Sequence, residues 1–438
     1  MSPSKESKSE SKTLMVVFIS LLIDLLAFTL ILPLLPSLLD YYHKNDKGNL
    51  YLFLVDKINY FQEAIGAPGH FNVVLFGGFI GSLFSFLQFI ASPVMGALSD
   101  IYGRKNVLLV SMVGEMCCYI LWANATNFSI FVMSRIVGGI SRGNVSICTA
   151  VIADISTKKT RGKGMAVIGI AFSIGFIVGP ITGALFAHWT KTEDTYYFAW
   201  PAMLAFTLVV IDFVYLLLSF DETLTSDKRA KSLGSGLNNA LNYINPSALF
   251  RFDPVQKVND KDLKNMRKIG LICFFFLFLY SGLEYTLTFL THIRFHVQQG
   301  KMFLYIGLLM AIFQGAFLRR LPVGREKQIT LIGLCLIIPA FICIGFATKE
   351  WTLYLGLTMY SFASATVIPC LTTLICAYGS HQQKGTVMGI FRSLGALARA
   401  LGPILASSVF WLFGARLCYV IGGFFLVIPL LLLRKLEL

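Results

Sequence analysis

Long apolar runs separated by short polar or Gly/Pro-containing intervals recur twelve times along the chain, at 14–39, 72–97, 106–123, 128–153, 164–188, 196–219, 269–290, 302–318, 328–347, 351–378, 385–413 and 417–433. At 1.5 Å per residue each is long enough to cross a hydrocarbon core of ~30 Å. The pattern predicts an all-α membrane protein of twelve transmembrane helices. One interval breaks the rhythm: the basic, polar stretch 221–268, which reads as a cytosolic linker between two groups of six spans. The expected organisation is a cytosolic tail at 1–13, a six-helix bundle at 14–220, the linker at 221–268, a second six-helix bundle at 269–433 and a cytosolic tail at 434–438. Inside the linker, ALNYINPSALFRF suits a short helix at the membrane surface about as well as a loop.

The two groups echo each other. KGMAVIGIAFSIGFIVGP in span five and KGTVMGIFRSLGALARALGP in span eleven both open on Lys-Gly, space glycines at helical intervals and close on Gly-Pro. A six-plus-six duplication explains this most simply, and duplicated membrane halves place a site near the midplane between them. The competing explanation is that small residues are common wherever membrane helices pack, so that unrelated spans look alike.

Composition supports the membrane assignment. Of 438 residues, 56% are hydrophobic and only 14% charged, against roughly 25% charged in soluble domains. The formal net charge of +14 raises the question of nucleic acid, but its distribution answers otherwise. With both termini in the cytosol, Lys and Arg concentrate on the cytosolic side even when the linker is left out, as the positive-inside rule requires. All nine cysteines fall within spans, so they read as small core residues rather than a disulfide framework. The first run carries a mid-span Asp and two prolines and lacks a small-residue cleavage site, so no cleavage is expected. The glycosylation patterns at Asn124, Asn127 and Asn144 lie in a very short turn or inside a span and read as unused. His43, His70, His188, His292 and His296 cluster on or near the non-cytosolic side and read as surface residues. No His/Cys/acid spacing indicates a metal, no Gly-rich phosphate loop indicates ATP, and no cofactor is expected.

GALSDIYGRKNVLL follows span two. Its Gly96, Asp100, Gly103, Arg104 and Lys105 resemble the loop signature of the major facilitator superfamily. Taken alone, the same residues describe a solvated turn whose cations fix topology. A carboxylate at Asp100 suits the N-terminus of a facing helix, such as span eleven at Gly385, and would latch the halves shut on the cytosolic side. SRIVGGISRGNVS places Arg135 and Gly139 as in the superfamily's fourth helix. GFIVGPITGA puts Gly175, Gly179 and Gly183 on one face beside Pro180; it resembles the motif of proton-coupled antiporters, while physically it is a small-residue packing stripe. DLLAFTLILPLLP is similar to the first helix of the bacterial tetracycline/proton antiporters in type and spacing. The resemblance is therefore to the drug/proton antiporter branch. It implies two six-helix bundles rocking about a central cavity lined by helices one, four, seven and ten, with three and six peripheral and eleven flanking. The chain departs from that pattern in two ways. Cys118 stands where those antiporters carry an acid, with Glu115 three residues earlier, and Arg142, Arg392 and Arg399 replace small or uncharged residues.

Ionisable groups inside spans are the chemically informative ones. Asp24 lies about 10 residues into its run, roughly 15 Å deep, where an unpaired aspartate costs about 2.5–3.5 kcal/mol. Glu115, Asp212 and Glu284 are the other intramembrane acids; Arg135, Arg142, Arg392 and Arg399 balance them. The arginines come in pairs two helical turns apart, so each pair shares a face. Under the family fold Asp24, Arg135, Arg142 and Glu284 are expected to face the cavity, with Arg392 and Arg399 reaching it from the flank. Asp212 reads as structural. Asp24 and Glu284, with Glu115 beside them, are the expected proton carriers, because burial and a nearby Arg pull a carboxyl in opposite directions. Arg142, Arg392 and Arg399, with Arg135, are expected to bind an anionic solute, since a guanidinium fork matches a carboxylate. Tyr285, Tyr354 and Tyr360 are expected to stack on its hydrophobic part, ordinary packing being the plainer alternative.

The reading is a secondary transporter of small amphiphilic organic solutes, organic anions in particular, coupled to protons and acting as a monomer in a lipid bilayer. Its rivals are a proton-independent uniporter or exchanger, in which the acids only pair with the arginines, and a non-transporting scaffold or receptor. A membrane enzyme is the weakest rival, as no nucleophile and base are paired by motif. Plasma membrane, endolysosome and endoplasmic reticulum with its nuclear envelope all fit this sequence.

Overall fold

A computed structural model of the chain describes residues 5–46, 48–65, 72–156, 161–189, 199–224, 244–253, 255, 259–295, 299–314, 324–378 and 384–436. Among them no strand occurs, and ten helices are long and apolar enough to cross a membrane. One of these, Val387–Arg434, contains two predicted spans, and Lys301–Ile312 is a shorter apolar helix. All twelve predicted runs are thus represented by helix. The rest of span eight, His70 and His296 lie outside the described residues, as do 225–243, 254 and 256–258 of the predicted linker.

Several runs that are continuous in hydropathy are broken in the backbone. Span one divides into α1 (Lys5–Thr29) and α2 (Leu35–Asn45). Pro33 and Pro36 explain the break: each lacks an N–H, and α2 starts with Pro36 in its first turn. The α3 helix (Asn49–Ile65) follows and docks through Tyr51, whose ring stacks on Phe76 at 5.5 Å. Burial, then the charges of Asp46 and Asp40, push the Tyr51 phenol up to about 12. It therefore stays protonated, and its hydroxyl shares a 2.8 Å hydrogen bond with His43 Nδ1. Span two is α4 (Asn72–Tyr102) and span three α5 (Arg104–Ala123). Gly103 between them has φ 96°, a left-handed conformation that favours glycine. Span four divides into α6 (Phe128–Ser141) and α7 (Asn144–Ile155), with Arg142 and Gly143 at the break. Asn127 caps α6 by accepting from Ile130 N at 2.9 Å.

Spans five and six are α8 (Arg161–Trp189) and α9 (Ala199–Ser219). The glycines of α8 let it lie directly on α1. A methyl group on Gly175 would come within 2.6 Å of Leu25 Cβ, and one on Gly179 or Gly183 would strike Thr29 Oγ1 or the Leu30 carbonyl. Pro180 is buried on the same stretch.

In the second half, the surface-helix candidate in the linker forms α10 (Pro246–Arg251). Its following Phe252 is buried and would crowd any side chain at Gly270, so α10 docks on the second bundle. The α11 helix (Asp260–Phe295) begins nine residues upstream of the run at 269. At 36 residues it is about 54 Å long, so its first turns project beyond the apolar layer. The remainder is α12 (Gln299–Ile312), α13 (Glu326–Phe346), α14 (Glu350–Ala377), α15 (Lys384–Phe425) and α16 (Val427–Arg434). Gly414, at φ 76°, breaks α15 into spans eleven and twelve.

The two lobes meet mainly along α4, where Gly77, Gly78 and Gly81 present a surface almost without side chains. Phe289 fills the space over Gly77, Ser407 and the Pro403 carbonyl that over Gly78, and Tyr285 that over Gly81. Tyr285 donates its hydroxyl to Gly77 O at 2.5 Å, and Ile404 N donates to Ser82 Oγ at 2.9 Å. His292 and Asp40 close the same seam at 2.6 Å. All these contacts lie in the half of the bundle away from the chain termini.

Candidate functional site

The Pro-induced end of α1 and the break in span four bring three charges together inside the first lobe. Arg142 Nη2 donates to Asp24 Oδ2 at 3.1 Å while its Nη1 lies 3.1 Å from Asp24 Oδ1 and 3.5 Å from Glu115 Oε1. Asn144, the first residue after the break, donates to Glu115 Oε1 at 3.0 Å and accepts from Ser111 Oγ at 2.6 Å. The same Ser111 hydroxyl hydrogen is shared with the Ser141 carbonyl freed where α6 stops. A backbone break in a membrane span exposes peptide groups that need partners, and here polar side chains supply them. The Arg142 guanidinium lies over the Phe28 ring at 4.1 Å. Asp24, Glu115 and Arg142 are all buried, at 1%, 2% and 4% exposure.

Arg135 is buried next door, between Trp122 and Phe131 at 5.5 and 5.4 Å, with Nη2 3.6 Å from Cys118 Sγ. A cavity of about 10 Å³, room for a single water, separates it from Glu115 and Arg142. The expectation that Asp24, Arg135 and Arg142 face the central cavity is therefore corrected: the closure of α4, α5 and α6 around them keeps them inside the first lobe. Asp212 on α9 is fully buried as well, taking a 3.0 Å hydrogen bond from Ser20 Oγ.

The second lobe is different. Glu284 on α11 accepts from Tyr360 at 2.7 Å and from Tyr280 at 3.1 Å, and Tyr280 also bonds Ser364 at 2.7 Å. The Tyr280 and Tyr360 rings stack at 5.5 Å. Glu284 and Arg399 are exposed although protein surrounds both of them, which marks them as lining an internal chamber rather than the lipid rim. Among the described residues no hydrogen-bond or ion-pair partner reaches Arg399, and Glu284 is the acid whose charge it feels. Arg392, one face along, sits half-buried over Phe172 of α8 at 5.6 Å and so bridges the lobes.

Of the three tyrosines expected at a solute, only Tyr360 belongs to this cluster. Tyr285 is committed to the inter-lobe seam, and Tyr354 packs edge-on against Tyr305 at 5.0 Å. Tyr280 and Ser364 were missing from the sequence reading; the four-residue step from Tyr280 to Glu284 was the available signal.

At the terminus-side end of the first lobe, Arg104 holds the loop signature together. It pairs with Asp100 at 2.5 Å and Asp154 at 2.9 Å and donates to Ser99 Oγ at 2.6 Å. Glu222 accepts from the backbone N–H groups of Arg104 and Lys105 at 3.0 and 3.2 Å, capping α5. Lys105 Nζ donates to Leu217 O at the end of α9. Asp100 thus pairs with Arg104 within its own lobe, while the surroundings of Gly385, its expected partner at the start of span eleven, lie outside what is described. Gly96 packs close to Ser146. Asp154 and Glu222 carry no spacing signal, since they come from distant parts of the chain.

Two helical lobes, joined by a polar linker and enclosing a chamber with charged walls, define a membrane protein of transporter architecture. The chain belongs to the Major Facilitator Superfamily, whose profile matches residues 17–403 and 315–437. It is 46% identical over 438 residues to major facilitator superfamily domain-containing protein 10 of Mus musculus, covering 98% of this chain and 94% of that one. Identity to the Homo sapiens protein of the same name is 45% over 444 residues, covering 99% and 95%. The class B tetracycline resistance protein of Escherichia coli is 26% identical over 89% of this chain and 86% of its own. Among solved structures, the human organic anion transporter MFSD10 (TETRAN) superposes with a TM-score of 0.80 at 45% identity, covering 97% of this chain and 99% of that chain.

Proposed function

We propose that this chain carries small amphiphilic organic anions across its membrane by alternating access, driven by protons, with the bundles at 14–220 and 269–433 rocking as units and the protein acting as a monomer. The observation carrying the anion preference is Arg399: a guanidinium open to the chamber, enclosed by protein and, among the described residues, without a bonded partner. A cation in that position is held for a charge that arrives from outside, because an unpaired one in a membrane interior is otherwise costly. Arg392 adds a second cation near the same wall, and the human relative described as an organic anion transporter supports the same class.

Proton coupling is supported by Glu284, poised between two phenols, and by Asp24 and Glu115 sharing one guanidinium. An acid that trades a proton between two conformations must find different partners in each, and both clusters sit beside elements that a rocking motion displaces: the seam at Tyr285 and the broken spans one and four. A proton-independent exchanger is favoured by one observation, the close match of Asp24 to Arg142.

Reconstitution in liposomes separates the readings. Uptake of fluorescein, an organic anion, should be accelerated by an opposing or parallel pH gradient, should be lost in Arg399→Ala, and should lose its gradient dependence in Asp24→Asn. Uptake indifferent to the gradient in the unmodified protein leaves the exchanger; uptake surviving Arg399→Ala removes the anion site.

A further inference from the structure

One buried acid has no part in the site above. Asp212 is fully buried on α9, accepts one hydrogen bond from Ser20, and leaves Oδ1 without a partner. Among the described residues no cation pairs with it. The groups whose charge or hydrogen bond reaches it are Ser20 and Asp24 from α1, Glu115 from α5, Cys148 from α7 and Tyr215 on α9 itself. All are neutral or acidic.

Among the described residues, leaving aside the buried Arg104, which Asp100 and Asp154 already balance at the terminus-side end, the first lobe buries three carboxyls, Asp24, Glu115 and Asp212, and two guanidiniums, Arg135 and Arg142. Such a set is neutral when one carboxyl carries a proton, and neutrality matters where solvation is absent. Asp24 and Glu115 both contact Arg142. Each of the three acids keeps one oxygen without a hydrogen bond, but Asp24 and Glu115 face Arg142 whereas Asp212 pairs with no cation among the described residues, so the extra proton belongs on Asp212. Ser20 lies one helical turn from Asp24 on the same face of α1, so a single hydroxyl, able to donate and accept, stands between the two acids. Further along the same helix pair, Lys12 and Asp221 meet at 3.4 Å on the exposed terminus-side surface. Between that pair and Ser20 the two helices present the buried Val16, Val17 and Leu216, so the polar contact of Asp212 runs inward, toward the Asp24–Arg142 cluster.

We propose that Asp212 is a proton-carrying site of the transport cycle, which holds the proton the buried cluster needs for neutrality and exchanges it with Asp24 by way of Ser20. The proton passes from the Asp212 carboxyl through the Ser20 hydroxyl to the Asp24 carboxylate; the Asp212 carboxylate left behind keeps the Ser20 hydrogen bond until the proton returns from the Asp24 side. This rests on the proton-coupled reading above.

Two measurements on the full chain test it. Infrared difference spectra of the purified protein near neutral pH should contain a protonated-carboxyl C=O band that disappears in Asp212→Asn and shifts in Ser20→Ala; an unchanged band in Asp212→Asn overturns the proposal. In proteoliposomes, the ratio of pH-gradient-driven to downhill fluorescein uptake should fall roughly tenfold in Asp212→Asn and recover in Asp212→Glu. A structural role lowers both uptakes together and leaves the ratio intact, which refutes Asp212 as a proton site while coupling stands. Unmodified protein indifferent to the gradient overturns coupling and proposal together, whatever the infrared band shows.

Discussion

The two lobes treat their intramembrane charges in opposite ways. In the first, Asp24, Glu115 and Arg142 are packed against one another at 4% exposure or less, with Asn144 and Ser111 completing the bonds. In the second, Glu284 and Arg399 stand open to the chamber, Glu284 steadied by Tyr280 and Tyr360 and Arg399 by no bonded partner among the described residues. The duplicated architecture thus carries two electrostatic regimes. A dry cluster stores charge that its own lobe balances; a wet wall offers charge to something that enters. Stability should depend on the first and solute handling on the second.

The sharpest test of that division is a pair of arginine truncations. Arg142→Ala leaves two buried carboxyls around an empty place and should cost about 3–5 kcal/mol, read as a collapse of the thermal unfolding midpoint in detergent. Arg399→Ala should change stability by about 0.5 kcal/mol or less while removing anion uptake. Equal destabilisation by both would abolish the contrast. Next in size, Gly179→Val drives a side chain into Thr29 on α1 and should cost about 1–3 kcal/mol by overpacking, without changing solute preference in the protein that still folds. A smaller effect is expected at the seam. Tyr285→Phe removes the hydrogen bond to Gly77 O, worth about 1 kcal/mol, and should raise the reactivity of a cysteine introduced at Gly81 toward a reagent added from the face opposite the termini. The smallest change is expected for Asp40→Asn, whose half-exposed partner His292 is already in contact with water; a loss of uptake there as large as in Arg399→Ala would move the functional weight from the chamber to the seam.

Much of the architecture was legible because membrane insertion leaves its mark on local composition. Twelve apolar runs, a basic linker and the glycine stripe 175–183 each follow from what a bilayer or a close helix contact demands of neighbouring residues. Even the prolines that end α1 were visible at 33 and 36, although hydropathy alone ran the span on to 39. The break at Arg142 was harder to see, because its cause is tertiary: Ser111 and Ser92, from α5 and α4, bond the freed Ser141 and Arg142 carbonyls. The stripe at Gly77, Gly78 and Gly81 had the same signature as the one in α8, yet its partner lies in the other lobe, more than two hundred residues away along the chain.

Which residues must sit in the membrane, and which among them carry charge, was determined by the sequence, since hydrophobicity and ionisation belong to each residue and its near neighbours. Which charges meet was decided by the tertiary structure. Arg142 finds Asp24 and Glu115 because three helices converge, Arg104 finds Asp100 and Asp154 within its own lobe, and Arg399 is left facing the chamber. The physical reason is that a Coulomb contact or a hydrogen bond depends on distances of a few ångströms between side chains far apart in the chain, and only the packing of helices against one another sets those distances.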